Sequence, residues 1–183
     1  MKETGLLMTP ENYTKCEDGT KTQTRRVVKM TGRFHPPPPV CCPYGAVGDR
    51  LYIKEGLARD GAGIQYRRDG QPVIKPVMGG AYGWRWSRDT LSPLHMPKWA
   101  ARLWLEIIEV RLERLHAISE EDAKAEGAQS VDYASGRECI LEPDKGSYRL
   151  GFRALWESNK IHKPGSWALN PWLWVIGFYK VRS

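Results

Sequence analysis

No stretch of the sequence approaches the roughly 18 consecutive apolar residues that a membrane-spanning helix needs. The short patch around Leu6 and Leu7 lacks the length of a signal-peptide core, so a cytoplasmic protein without membrane association is expected. Cysteine is scarce: four residues, Cys16, Cys41, Cys42 and Cys139, with irregular spacing and no Cys-x-x-Cys pair. That excludes a disulfide framework and argues against zinc, even with His35 near the Cys41–Cys42 pair, so buried free thiols and no metal are expected. Histidine is equally sparse. His35, His95, His116 and His162 are scattered with no nucleophile or ligand spacing, and none is given a role. The sequence calls for no cofactor.

What is present in excess is positive charge and tryptophan. There are 28 Lys and Arg against 21 Asp and Glu, a formal charge of +7, and eight Trp. Basic surfaces with flat rings suit a polyanion whose bases stack, so a nucleotide or single-stranded RNA leads the candidate partners. The alternative is that the Trp residues are core and the charge serves solubility. With 183 residues, 41% hydrophobic and 27% charged, the chain fits one soluble domain spanning 1–183.

The densest polar stretch is Lys21 Thr22 Gln23 Thr24 Arg25 Arg26, after the turn-prone Glu17 Asp18 Gly19. It holds an amine, hydroxyls, a carboxamide and two guanidinium groups, suited to polar contacts, catalysis or anion binding. A plain solvated turn before a strand is the competing reading. Upstream, Pro10 to Lys15 opens a short helix. Pro36 to Pro39 breaks the chain into an extended loop, and Leu51 Tyr52 Ile53 is a compact strand that ends at Lys54 Glu55.

Residues 56–95, rich in Gly and Pro, form an excursion from the sheet, expected as a hairpin and a long loop. Within it Trp84 and Trp86 would project from one face of an extended chain and either stack a base or cover the sheet. In the segment from Trp99 to Leu112 helical composition conflicts with strand alternation of Leu103, Leu105 and Ile107. The other strand face would carry Trp104, Glu106, Ile108, Val110 and Leu112, and pattern alone does not decide.

Ser119 with Asp122 resembles a capping box and Gly127 closes the helix, leaving Glu126 on its last turn. Residues 127–146 read as loop. Tyr148, Phe152, Leu155 and Trp156 form one helical stripe facing the sheet, and Trp172 to Tyr179 reads as a central strand covered on both faces.

Taken together, several motifs resemble the ASCH family, most closely its phage and prophage branch. They are Lys21 to Arg26, Pro43 Tyr44 Gly45 with Gly48 to Glu55, Met96 to Trp99 followed by Leu103 to Arg111, Ile118 to Ala123 with Glu126 Gly127, and Asn170 Pro171 Trp172 with Trp174. Residues 56–95 and 128–146 have no counterpart.

The resemblance implies an α+β, PUA-like fold, a small β-barrel with flanking helices. In that fold 103–112 is a strand and a cleft lies between the Lys21 turn and the Ser119 helix. It also implies RNA binding or, by similarity to bacterial N4-acetylcytidine amidohydrolases, removal of an acyl group from N4 of a cytidine nucleoside or nucleotide. Their catalytic lysine, threonine and glutamate fall on Lys21, Thr24 and Glu126. Those enzymes are much shorter and lack the 56–95 insertion and the tryptophan-rich tail.

Amide hydrolysis needs a nucleophile, a base and an acid for the leaving nitrogen, which Thr24, Lys21 and Glu126 can supply if they meet. Arg25 and Arg26, if exposed, would bind phosphate or carboxylate. Glu55, at a strand end, would accept hydrogen bonds from a base edge or from Arg25, or else be a rim carboxylate paired to a neighbouring lysine or arginine. The competing function is a non-catalytic RNA-binding module, with a ribonuclease as a third possibility.

Overall fold

The computed structural model describes residues 1–28, 41–60, 63–74, 87–132, 139–140, 146–158 and 167–181. The expectations for Pro36–Pro39, Trp84 and Trp86 fall outside them. Strand β1 (Glu3–Leu7) leads into helix α1 (Pro10–Glu17). Thr9 caps this helix, its hydroxyl accepting from the Asn12 amide at 3.3 Å, and Pro10 sits where its missing N–H costs nothing. Next come β2 (Gln23–Val27), β3 (Arg50–Lys54), β4 (Leu57–Asp60), β5 (Gly63–Tyr66) and β6 (Thr90–Leu91). The rest of the chain supplies β7 (Trp104–Arg114), α2 (Glu120–Ala125), β8 (Val131–Asp132), β9 (Cys139–Ile140), α3 (Tyr148–Ser158) and β10 (Trp172–Val181).

Among the described residues the main sheet has five strands in the order β1-β3-β7-β10-β2. Its β1–β3 pair is parallel and the others are antiparallel. One face buries Leu6, Leu51, Ile53, Leu105, Ile107, Trp174, Ile176 and Phe178 together with Tyr13 and Cys16 of α1. The other carries α2 and α3, packed through Leu115, Ala123, Tyr148, Phe152, Trp156 and Leu173.

This architecture is α+β, as expected. The ladder itself is open: among the described residues β1 and β2 are edges and do not pair with each other. A side chain spans the gap instead, the Arg26 guanidinium donating to the Leu7 carbonyl at 2.7 Å.

The conflict within 103–112 resolves as a strand with a bulge. Gly177 pairs with Glu109 and Phe178 with Ile107, so Ile108 is the extra residue and stands 53% exposed. Beyond it the alternation changes phase. Val110 and Leu112 therefore pack on the same core as Leu105 and Ile107, not on the opposite face that unbroken alternation implies.

Other expectations also shift. Residues 23–26 of the polar hexapeptide are strand, not turn. The 127–146 stretch is not wholly loop, since Val131 and Asp132 pair with Ile140 and Cys139. On α3 the buried stripe is Tyr148, Phe152 and Trp156, whereas Leu155 is exposed. Cys16 is buried but Cys41 is exposed.

Within 56–95, β5-β4-β6 form a separate three-stranded sheet. Its small core contains Leu57, Tyr66, Leu91, Met96 and Ala100. Among the described residues no helix is long and apolar enough to cross a membrane.

Candidate functional site

Alternation along β2 sends Gln23 and Arg25 to the α2 face and Thr24 and Arg26 to the other. Asp122 and Glu126, four residues apart, lie on one side of α2 and meet the first pair. Ser119 starts this helix, its hydroxyl accepting from the Asp122 amide at 3.1 Å. Gly127 ends it at φ +77°, where a Cβ would also press on Lys15 and Lys21.

Lys21 precedes β2 and is held from both directions. Its amide donates to the Lys15 carbonyl at 2.8 Å, and the next amide, of Thr22, donates to the Ala125 carbonyl at 2.9 Å. Its ammonium donates to Glu126 Oε2 at 2.5 Å and to the Glu126 carbonyl at 2.8 Å. Lys15 Nζ binds the Gly127 carbonyl at 2.9 Å. Two lysines thus satisfy carbonyls at the end of α2, where the helix dipole favours cations.

Lys21 and Glu126 are 4% and 6% exposed, so their ion pair is buried. Glu126 Oε1 accepts a longer bond from Arg25 at 3.4 Å.

Arg25 is enclosed by acceptors. It donates to Gln23 Oε1 and to Asp122 Oδ2, the latter at 2.8 Å, and lies 3.6 Å from Glu113. Arg111 meets the same Asp122 oxygen at 2.6 Å, and Gln23 Nε2 donates to the other at 3.0 Å. Burial alone would raise the Asp122 carboxyl, but the Gln23 and Arg111 hydrogen bonds and the Arg25 and Arg111 charges hold it below the usual carboxylate range.

In sequence terms Asp122 had only its place in the capping box, and Gln23, Arg111 and Glu113 carried no site signal. The one available clue was the i, i+4 spacing of Asp122 and Glu126.

Thr24 is also buried, at 4% exposure. Its cross-strand neighbour Ile176 belongs to the core under α1. No hydrogen bond joins its hydroxyl to Lys21 or Glu126. Cys16, in that same core, feels both charges of the pair, and burial pushes its thiol up to about 12.

Glu55 lies elsewhere, 5% exposed at the end of β3. Arg102 grips it with two bonds of 2.8 and 2.7 Å, and Arg68 Nε adds a third at 3.2 Å. Arg102 also donates to Asp69 and lies over the Tyr66 ring, 3.8 Å from its centroid. The structure therefore brings Lys21, Arg25 and Glu126 together, places Thr24 on the adjacent strand position, and separates Glu55 into its own cluster. Among the described residues no group of three or more His, Cys, Asp or Glu is arranged to hold a metal ion.

No protein-family model matches the sequence, and no curated protein does. Among solved structures the chain is similar to the ASCH domain from Lactobacillus crispatus JV V101, with 13% sequence identity and a TM-score of 0.42, over 98% of this chain and 79% of that one.

Proposed function

We propose that the chain is a hydrolase that removes an acyl group from N4 of a cytidine nucleoside or nucleotide. The observation that carries this reading is the buried ammonium–carboxylate contact of Lys21 with Glu126 at 2.5 Å, with the buried hydroxyl of Thr24 three residues along the chain. The ASCH resemblance of the Lys-Thr-x-Thr segment supports it.

Transfer of one proton along the Lys21–Glu126 hydrogen bond yields a neutral amine and a carboxylic acid, a base and an acid together. On substrate entry the amine swings to Thr24 and takes its hydroxyl proton as the oxygen attacks the acyl carbon. The C–N4 bond then breaks, N4 receives a proton from Glu126, and cytidine leaves. A second proton transfer from Lys21 to Glu126 restores the neutral amine and the carboxylic acid. Lys21 then takes a proton from water as its oxygen attacks the acyl-threonine ester, Glu126 protonates the departing Thr24 oxygen, and the acyl group leaves as a carboxylic acid. Arg25 positions Glu126.

The test is incubation with N4-acetylcytidine, following the ultraviolet change to cytidine. Wild type should turn over, while Thr24→Ala and Lys21→Met should each lose at least roughly a hundredfold.

A second reading, a non-catalytic RNA-binding module, is favoured by one observation: both side-chain bonds of Lys21 go to Glu126, which is also how a lysine would cap α2. Absence of wild-type turnover, with binding to single-stranded RNA that weakens steeply with salt, would select it.

A further inference from the structure

Beside α1 the structure holds a cavity of about 290 Å³ whose lining includes neither Lys21 nor Glu126. Pro10, Tyr13 and Pro93 give it apolar walls, and Lys54, Glu55, Arg67 and Arg68 give it polar ones. The charges do not cancel. Glu55 is already neutralised by Arg102 and Arg68, and Arg68 is further tied to Glu17 and Asp69 while lying over Tyr13, 4.1 Å from the ring centroid. Lys54, by contrast, donates among the described residues only to the Leu94 carbonyl at 2.8 Å. Among the described residues, neither Lys54 nor the exposed Arg67 has a carboxylate within ion-pair reach.

Two uncompensated cations therefore stand at the rim of an apolar-walled cavity whose own acid is fully occupied. The first turn of α1, which begins at Pro10, adds its positive dipole end to the same wall. The size lies near the lower bound of ligand pockets, roughly 300 to 1,000 Å³, and suits one compact molecule.

We propose that this cavity binds a free nucleoside 5′-monophosphate, with the base against Pro10 and Pro93 and the phosphate on Lys54 and Arg67. An inorganic anion would leave the apolar walls unfilled. A neutral nucleoside would leave the two cations unanswered. The site does not depend on the hydrolytic reading, and its failure is distinguishable: turnover of N4-acetylcytidine tests that reading alone, and loss of mononucleotide binding in Lys54→Ala and Arg67→Ala tests this one.

The experiment is isothermal titration of the full chain with the four ribonucleoside 5′-monophosphates, their nucleosides, inorganic phosphate and a 5′-phosphorylated oligoribonucleotide. At least one monophosphate should bind, and its nucleoside and inorganic phosphate should each bind roughly tenfold or more weakly, as expected for losing charge-assisted hydrogen bonds or apolar contact. Arg67→Ala and Lys54→Ala should each weaken it about tenfold, with unchanged melting temperature because both side chains reach solvent. The proposal is overturned if no monophosphate binds, if nucleoside or phosphate binds equally well, if neither variant weakens binding, or if the oligoribonucleotide binds more tightly than any free nucleotide.

Discussion

Glu126→Ala tests the electrostatic reading of the site directly. The substitution removes Oε2, the carboxylate oxygen on the Lys21 ammonium, and Oε1, the weaker acceptor for Arg25. Lys21 keeps the Glu126 backbone carbonyl but has no other carboxylate among the described residues, and at 4% exposure water cannot readily replace the lost partner. Breaking one side of a buried pair costs about 3–5 kcal/mol, a large share of the roughly 5–15 kcal/mol that holds a domain folded. At about 2–4 °C per kcal/mol for a chain of this size, the melting temperature should fall by roughly 6–20 °C.

The reverse change, Lys21→Met, should cost less, because Glu126 retains Arg25 as a countercharge. The double variant Lys21→Met with Glu126→Leu, an apolar replacement of the whole pair, should recover most of the Glu126→Ala loss. Urea unfolding of the four proteins measures all three differences. A Glu126→Ala cost below about 1 kcal/mol, or a Lys21→Met cost as large as that of Glu126→Ala, would refute the reasoning, since the buried-pair penalty sets both.

Three further outcomes follow from single contacts. Gly151→Ala, on the buried side of α3, would drive a Cβ into the Gln129 carbonyl oxygen, backbone that cannot turn aside. Urea unfolding should show a loss of about 1–3 kcal/mol or more. Cys16, with its thiol pushed up to about 12, is protonated at pH 8, so iodoacetamide should label exposed Cys41 in the native protein and reach Cys16 only after unfolding. Mass spectrometry of the labelled peptides checks this.

The Asp122 carboxyl is held below its unfolded value near 3.9. Its stabilisation is therefore complete above about pH 4 and is lost as the pH falls through the folded value. Asp122→Asn should flatten the acid limb of the stability profile, read by urea midpoints at stepped pH.

The parts of the fold governed by local chemistry are legible in the chain. Thr9–Pro10 and Ser119 start helices because their side chains and missing N–H answer orphan backbone groups, and Gly127 stops one because its φ suits glycine. The period of Tyr148, Phe152 and Trp156 predicts α3. It does not predict the exposure of Leu155, which depends on where neighbouring elements stop.

The contact of Lys21 with Glu126 was legible only through the ASCH resemblance, since nothing in the residues themselves links positions so distant. The surroundings were not legible at all. Arg111 on Asp122 and Arg102 on Glu55 are choices among 28 cations that only the assembled sheet makes.

The bulge at Ile108 explains how one strand serves both faces of the sheet. Leu105 and Ile107 enter the core under α1, while Arg111 and Glu113, also at odd positions, meet Arg25 and Asp122 on the α2 side. In an uninterrupted strand all four would share one face. Arg111 would then be impossible to place, because a guanidinium among Leu51, Ile53 and Phe178 has no acceptor to answer it.

The extra residue reverses the phase after Ile107, putting Arg111 in the same row as Val175 and Arg25. Asp122 then bridges Arg25 and Arg111 across that row. Gly177 lies opposite both Gln23 and Glu109 in the adjacent row, where a Cβ would crowd the Glu109 side chain. The site is thus built by an irregularity of the sheet: the phase change carries the charges to α2, α2 carries Glu126 to Lys21, and the core beneath stays apolar.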